Sequence, residues 1–457
     1  MSFRILPIEV PPNSPFANDN LDRRQIVEFV ASIVTQTENR PLVLAIDSPY
    51  GTGKSTFVEM LNVTLTQQNF QTVHFNAWKA DHVSDPLIAM VAALDRAVPR
   101  TPVSAETLDR VKAITGVVAK KGIAIGAKLL TGGLLEVADE IEEAVADAAG
   151  DVAGDIIDSF EKEQEAIESF RSELGKVVAK LPDLDRNPTL VFFIDELDRC
   201  RPDFAMQLLE RVKHMFDVPN LVFVLSVDKK QLEAVTAAVY GERIDAVEYL
   251  RKFIDLEFTL PRPAIKDFVN STIKRAGLDA NFNARSVSDK DSIVRFITFL
   301  ASIYGMSLRS IERSIVRLKL VVATVPKNYE MNPVHVALLV VLRSVDKDMF
   351  DKLLGKRITP RNALEHFRSL PHAGSRLESR DGQILEAILI SELFTNEELE
   401  KYLEEQQSIL NNSQDQAALK GARQRINLLD TYAQGMFGGS VFKSVAAMID
   451  LASNVQD

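Results

Sequence analysis

Residues 48–55 read Ser-Pro-Tyr-Gly-Thr-Gly-Lys-Ser, directly after the apolar run PLVLAID (41–47) and directly before TFVEMLNVTLTQQN. A glycine-bearing loop closed by Lys-Ser between a buried strand and a helix is a phosphate cradle. The chemistry accounts for the spacing. Gly51 and Gly53 let backbone N–H groups face phosphate oxygens, Lys54 reaches the β/γ oxygens, and the Ser55 hydroxyl is offered to magnesium. Ser48 stands where the first glycine is usual, a mild departure. The nucleotide-binding set is Tyr50, Gly51, Thr52, Gly53, Lys54, Ser55 and Thr56, and the expected ligands are ATP and Mg²⁺. A lysine of such a loop is normally poised at a solvent-filled site, so its removal is expected to cost the fold little.

The rest of the chain fits an α/β fold around that loop. Further strands are expected at QTVHFNAW, TLVFFID, LVFVLSV and FIDLEFTL, each separated from the next by helical stretches. Apolar, β-branched runs of this kind indicate a parallel sheet covered on both faces. Before the core, FANDNLDRRQIVEFVASIVTQ carries apolar residues at helical spacing after Asp19 or Asn20, either of which can cap the helix. Segment 1–40 is therefore an entry segment and a candidate adenine contact, and 41–261 is the nucleotide-binding core. Roughly a hundred residues separate the second and third strands, far beyond the 2–6 residue loops usual in such folds. The insertion, 100–185, is expected to be a helical hairpin. After Pro261 the pattern is helical: a lid over 262–345 and a C-terminal helical region over 346–457.

Charge is concentrated in the insertion. Between Glu136 and Glu173 there are fourteen acidic residues against Lys162 and Arg171, a balance of −12 in a chain whose net charge is −11. The remainder is close to neutral, so no extensive nucleic-acid contact is expected. The preceding arm carries Lys112, Lys120, Lys121 and Lys128 and is expected to lie near the acidic one, making a projection dispensable for nucleotide binding. Contact of this basic arm with a membrane surface, through Ile123, Ile125, Leu129 and Leu130, is the alternative. An apolar fraction of 46% with 26% charged residues excludes general disorder. One cysteine, Cys200, excludes an internal disulfide or a multi-thiolate metal site. With no spanning-length apolar run and no signal-peptide pattern, the expected location is the cytoplasm.

The strand TLVFFID ends in Asp195-Glu196. An acid at a strand tip can hold Mg²⁺, and the next carboxylate can take a proton from the attacking water, so Asp195 reads as the metal-side residue with Ser55, and Glu196 as the general base. Asp198 is the next choice for the base. LVFVLSVD ends in Ser226 and Asp228, where a polar residue can sense the γ-phosphate; Asp228 can equally cap the following helix. The six histidines lack ligand spacing, and no G-x-S-x-G elbow occurs.

Five stretches together resemble the KAP family of P-loop NTPases: FANDNLDR, PYGTGKST, HFNAWKAD (74–81), FFIDELDRCRP and YGERIDAVEYLRKFIDLEFTLP, with SLRSIERSIVRL resembling the family's lid segment. The family includes bacterial phage-exclusion proteins, so the resemblance implies an ATP-driven switch in anti-phage defence. It also makes Asn76, Trp78 and Lys79 worth weighing, Asn76 as a phosphate-proximal polar group and Trp78 as packing. Tyr50 stands where the family often has tryptophan and Glu196 where it often has aspartate. Members commonly carry membrane helices in the insertion; this chain does not show them. A positive charge is expected to meet the γ-phosphate. Arg309 on the lid and Arg251, acting from a neighbouring copy in a homo-oligomer, are favoured over Arg199, Arg201 and Arg313. The partner would be a protein or effector chain engaged through the insertion or the C-terminal helices. A small-molecule kinase and a nucleotide-stabilised scaffold with little turnover are the competing readings.

Overall fold

Five of the apolar runs pair side by side. In the computed structural model the strands are β1 (Leu42–Asp47), β2 (Gln71–Asn76), β3 (Leu190–Asp195), β4 (Leu221–Val227) and β5 (Leu256–Thr259). They form one parallel sheet in the order β2-β3-β4-β1-β5. The structure describes residues 8–130 apart from 20 and 38, then 161, 164–279, 287–324, 332–433, 442, 443, 445–447 and 449. The chain divides into two compact units, one Val10–Arg262 and the other Met1–Glu9 with Pro263–Asp457.

Within the first unit, the two-residue period of the strands sorts side chains to opposite faces. Leu42, Leu44 and Ile46 of β1 join Val191, Phe193, Val222 and Val224 under α1 (Arg24–Gln36) and α2 (Lys54–Gln67), whose Val27, Val30, Phe57 and Leu61 complete that core. Val43, Ala45, Phe192, Ile194 and Phe223 face the other way. There they meet α4 (Pro86–Ala97), α5 (Pro102–Leu130) and α6 (Pro202–Met215). Both faces being buried explains why these strands read as continuous apolar runs. Asp19, not an adjacent cap, starts α1: its carboxylate accepts the N–H groups of Arg23 and Arg24 at 2.6 and 3.0 Å. The β2 run ends earlier than expected, because Asn76 caps the short helix α3 (Ala77–Ala80) by accepting Lys79 N–H.

The base of the insertion is part of this core. Leu108 and Val111 of α5, with Phe170, Leu174, Val177 and Val178 of the helical stretch 164–179, pack in the same cluster as Phe192 and Phe223. Removing 105–180 would therefore take apolar packing from one face of the sheet, leaving α4 and α6 on it, which corrects the expectation that the insertion is dispensable throughout. Lys112 pairs with Asp95 of α4 at 2.9 Å and with Asp109 of its own helix at 3.4 Å, and Arg110 of the same helix reaches Glu173, at the end of the acidic arm, at 3.9 Å. Positions 120–130 of α5 are described for the backbone alone, and the side chains of Lys120, Lys121 and Lys128, like those of Ile123, Ile125, Leu129 and Leu130, lie outside the description. Most of the acidic arm, over 131–160 and 162–163, lies outside the described residues. Among the described residues no helix is long and apolar enough to cross a membrane.

The second unit is helical throughout its described residues, from Ile265–Arg275 to Gln416–Ala433. Its helix Pro333–Val345 is apolar on nearly every side and carries His335, which is fully buried with both ring nitrogens lacking hydrogen bonds. Glu392 stands 3.6 Å from Nε2, and burial lowers the His335 pKa from 6.5 to about 4. The folded chain then binds fewer protons than the unfolded one between these values. Stability is full above pH 6.5 and falls as pH drops toward 4, by about 3 kcal/mol in all. Thermal melts of wild type and His335→Leu at pH 7 and 4.5 should show a smaller acid-induced loss in the variant.

Candidate functional site

The C-terminal edge of the sheet brings the chemistry together. The register sets Asn76 beside Asp195 and Asp195 beside Ser226, with Ile46, next to the loop, beyond. A parallel sheet points all its strand tips the same way, so loops from distant parts of the chain converge there. β4 lies between β1 and β3, separating the phosphate loop from the acidic strand by one strand.

The loop has the backbone that its glycines permit. Gly51 and Gly53 adopt φ of 84° and 88°, left-handed values that a side chain would disfavour. Ser48, in place of the first glycine, is buried; its hydroxyl donates to Thr52 Oγ1 at 2.7 Å, and Thr52 Oγ1 donates to the Pro49 carbonyl at 2.8 Å. The serine thus staples the loop from within, which glycine could not do. Arg23, itself buried, adds a contact from outside, donating to the Thr52 and Pro261 carbonyls at 3.4 and 2.6 Å. Arg23 is not among the site residues expected from the sequence, since nothing local to it records a contact with Thr52 or Pro261.

Lys54 opens α2 and folds back over the loop. Its Nζ donates to the Ser48 carbonyl at 2.6 Å and lies 3.8 Å from Asp198 Oδ2. Burial lowers the Lys54 pKa against the attraction of Asp198, Asp228, Asp195 and Asp47. Burial likewise raises that of Asp198, against the pull of Lys54. Each charge is thus desolvated by more than its partner returns, a setting in which an added phosphate would favour the ammonium. This corrects the expectation of a lysine in open solvent: Lys54 is 9% exposed. Asp198 also accepts Asp228 N–H at 2.9 Å, so it is an anchor facing the lysine and not a free base.

Ser55 Oγ donates to Asp195 Oδ2 at 3.0 Å, joining the two residues expected to hold a metal. With its proton directed at the carboxylate, the hydroxyl keeps its lone pairs for a cation, and hydroxyl plus carboxylate oxygens are the donor set that magnesium takes. Asp195 Oδ1 accepts Glu196 N–H at 2.9 Å. Glu196 sits at φ 60°, a left-handed value for a residue with a side chain. Asn76 Nδ2 donates to Glu196 Oε2 at 2.8 Å, and Arg199 reaches Oε1 at 2.6 Å. Trp78, read as packing, is 54% exposed, which overturns that reading. Tyr50 leans on the same turn, donating to the Asp198 carbonyl at 3.2 Å, and burial beside the Asp198 charge raises its pKa.

Thr56, Ser226, Asp228 and Arg251 also lie in the first unit. Thr56 follows Ser55 within α2. Ser226 Oγ is buried without a hydrogen-bond partner, and Asp228 begins α7 (Lys229–Tyr240) without a side-chain cap; Asp47 Oδ1 takes the Lys229 N–H instead. Arg251 follows α8 (Ala246–Leu250), exposed and paired with Glu248 at 2.7 Å. Arg309 belongs to helix Leu308–Thr324 of the second unit.

A glycine-turned phosphate loop between β1 and α2, facing an Asp-Glu strand tip across a parallel sheet, defines a P-loop NTPase. The KAP family P-loop domain matches residues 23–325, more than half of the chain. The chain belongs to the KAP family. A phage T7 exclusion protein of Escherichia coli (strain K12) is 26% identical over 215 residues, 46% of this chain and 28% of that protein, so the match spans under a third of the relative's length. Among solved structures, the Aeropyrum pernix ORC2 protein in its ADPNP-ADP complexes aligns with TM-score 0.37 and 13% identity over 90% of this chain and 95% of that one. The ORC1 protein of the same organism, in complex with DNA, aligns with TM-score 0.33 and 14% identity over 94% and 86%. These structural likenesses are weak, and the assignment rests on the family match.

Proposed function

We propose that the chain is a magnesium-dependent ATP hydrolase that works as a switch in anti-phage defence. The observation that carries the reading is the meeting of Lys54, Ser55, Asp195 and Glu196 at one sheet edge. The loop N–H groups and Lys54 bind the phosphates. Ser55 and Asp195 would hold Mg²⁺, which supplies charge neutralisation on phosphate oxygens when bound. Glu196 takes a proton from water as the water oxygen bonds to the γ-phosphorus and the bond to the ADP oxygen breaks. A carboxylate on the turn beside the loop suits water as acceptor and favours hydrolase over kinase. The test is ATP turnover by the full chain with and without magnesium. Tight ATP binding without turnover in either condition would leave the scaffold reading in its place.

The defence role rests on the resemblance to the phage exclusion protein. A protein partner or effector chain would engage the insertion or the C-terminal helices, and the chain would reside in the cytoplasm. Arg251 is exposed and held by a surface pair worth little, so a neighbouring copy could recruit it. Activity per chain should then rise with concentration. Mixed Arg251→Ala and Lys54→Ala chains should recover part of the hydrolysis that each lacks alone, measured as phosphate release. Concentration-independent turnover by a monomer would transfer the role to Arg309 within the chain.

A further inference from the structure

Glu196 is held from both sides, by Asn76 on Oε2 and Arg199 on Oε1. Arg199 is itself held. Its guanidinium carbon lies 5.1 Å from the centre of the Tyr50 ring and 5.7 Å from that of Trp78, within the range at which a ring face attracts a cation. Tyr50 belongs to the phosphate loop, and Lys54 Nζ lies 5.2 Å from the same ring. Trp78 is more than half exposed at the end of β2, so its placement is not explained by core packing.

We infer that Arg199 is a positioning residue for Glu196, with Tyr50 and Trp78 as the platform that ties it to the phosphate loop; the inference rests on the hydrolase reading above. A carboxylate accepts a proton from water only along a defined direction, and a rotation of its end group removes that alignment. Asn76 alone fixes one oxygen and leaves the plane free to turn about it. The planar guanidinium fixes the second, and it can do so only if its own plane is fixed, which the two ring faces accomplish. The left-handed turn at Glu196 brings Arg199 back toward the same carboxylate three residues on.

The chain contains one tryptophan, so its emission reports on this slot. In the full-length Arg199→Ala chain, kcat for ATP should fall roughly 10- to 100-fold, part of the 10²- to 10⁴-fold that a general base supplies. Affinity for ATP should stay within about twofold, since the phosphate contacts are unchanged. Trp78 emission without nucleotide should shift from that of wild type, and Arg199→Lys, which restores charge but not the fork, should recover part of kcat. Added to Glu196→Gln, Arg199→Ala should cause no further loss. Wild-type kcat in Arg199→Ala, or an equal loss in both backgrounds, overturns the inference. So does a loss of ATP affinity that matches the loss of turnover, which would mark Arg199 as a phosphate ligand. If Glu196→Gln hydrolyses ATP like wild type, the base assignment has failed separately. Unchanged Trp78 emission in Arg199→Ala then overturns the slot on its own.

Discussion

Lys54→Ala is expected to weaken ATP binding about 100-fold, because a charge-assisted hydrogen bond to phosphate contributes roughly 1.5–3 kcal/mol and the lysine makes the loop's charged contact. Turnover should fall at least as far. The variant also has a folded-state cost that a lysine in open solvent would not have. Asp198 is almost wholly buried, and Lys54 is the cation facing it. Without that cation the carboxyl, whose pKa burial already raises, keeps its desolvation and only neutral donors, the Asp228 N–H and the Tyr50 hydroxyl among them. A loss of about 1–3 kcal/mol in stability follows, below the 3–5 kcal/mol typical when a tightly paired buried ion loses its partner, since 3.8 Å is a loose pair. Calorimetric ATP titration beside a thermal melt separates the two effects. Replacing Asp198 by Asn in the same background should return part of the stability and none of the binding. Undiminished ATP affinity in Lys54→Ala would remove the nucleotide site from this loop.

Glu196→Gln should reduce kcat roughly 10²- to 10³-fold while ATP affinity changes by no more than a few-fold, since the glutamine keeps the side-chain volume and loses the proton acceptor. The loss has a structural component as well. Glu196 accepts from Asn76 on one oxygen and from Arg199 on the other, and an amide can offer an acceptor to only one of them. Arg199, the charged donor, should retain the oxygen and turn the glutamine N–H toward Asn76, whose amide must then flip to present its own oxygen. That flip frees the N–H of Lys79 from its cap, so α3 should fray at its start. Single-turnover hydrolysis with a parallel binding measurement would check the first effect, and Trp78 emission the second. Unimpaired hydrolysis would exclude Glu196 as the base. Asp198, the other candidate in the sequence, would be a poor replacement, being buried and directed at Lys54 and Asp228.

The elements that the sequence announces are those in which the determining residues are neighbours in the chain. The phosphate loop is legible because eight consecutive residues carry both its turn geometry and its chemistry, and Gly51 and Gly53 take the left-handed backbone that the spacing requires. β4 spans the run LVFVLSV, and β1 and β3 match theirs within a residue, because a strand buried on both faces leaves a continuous apolar signature. The Asp195-Glu196 tip is legible for the same reason: it is where such a run stops.

What the tertiary structure decided is who stands beside whom. An apolar strand does not record its neighbours, so the order β2-β3-β4-β1-β5 was not readable, and with it the row that sets Asn76 against Asp195. The contact of Asn76 with Glu196 spans 120 residues, and that of Tyr50 with the Asp198 carbonyl spans 148. Trp78 reads as a packing residue, yet the chain turns into a helix at Ala77 and leaves the indole at the surface beside Arg199. Lys54 reads as solvated by analogy with its loop, yet the Asp198 carboxylate, arriving from β3, covers it. The chain encodes each chemical group locally through residue type and backbone preference. The distances that let those groups act on one another come only from the closing of the sheet, which fixes long-range partners by register and by apolar burial on both faces at once.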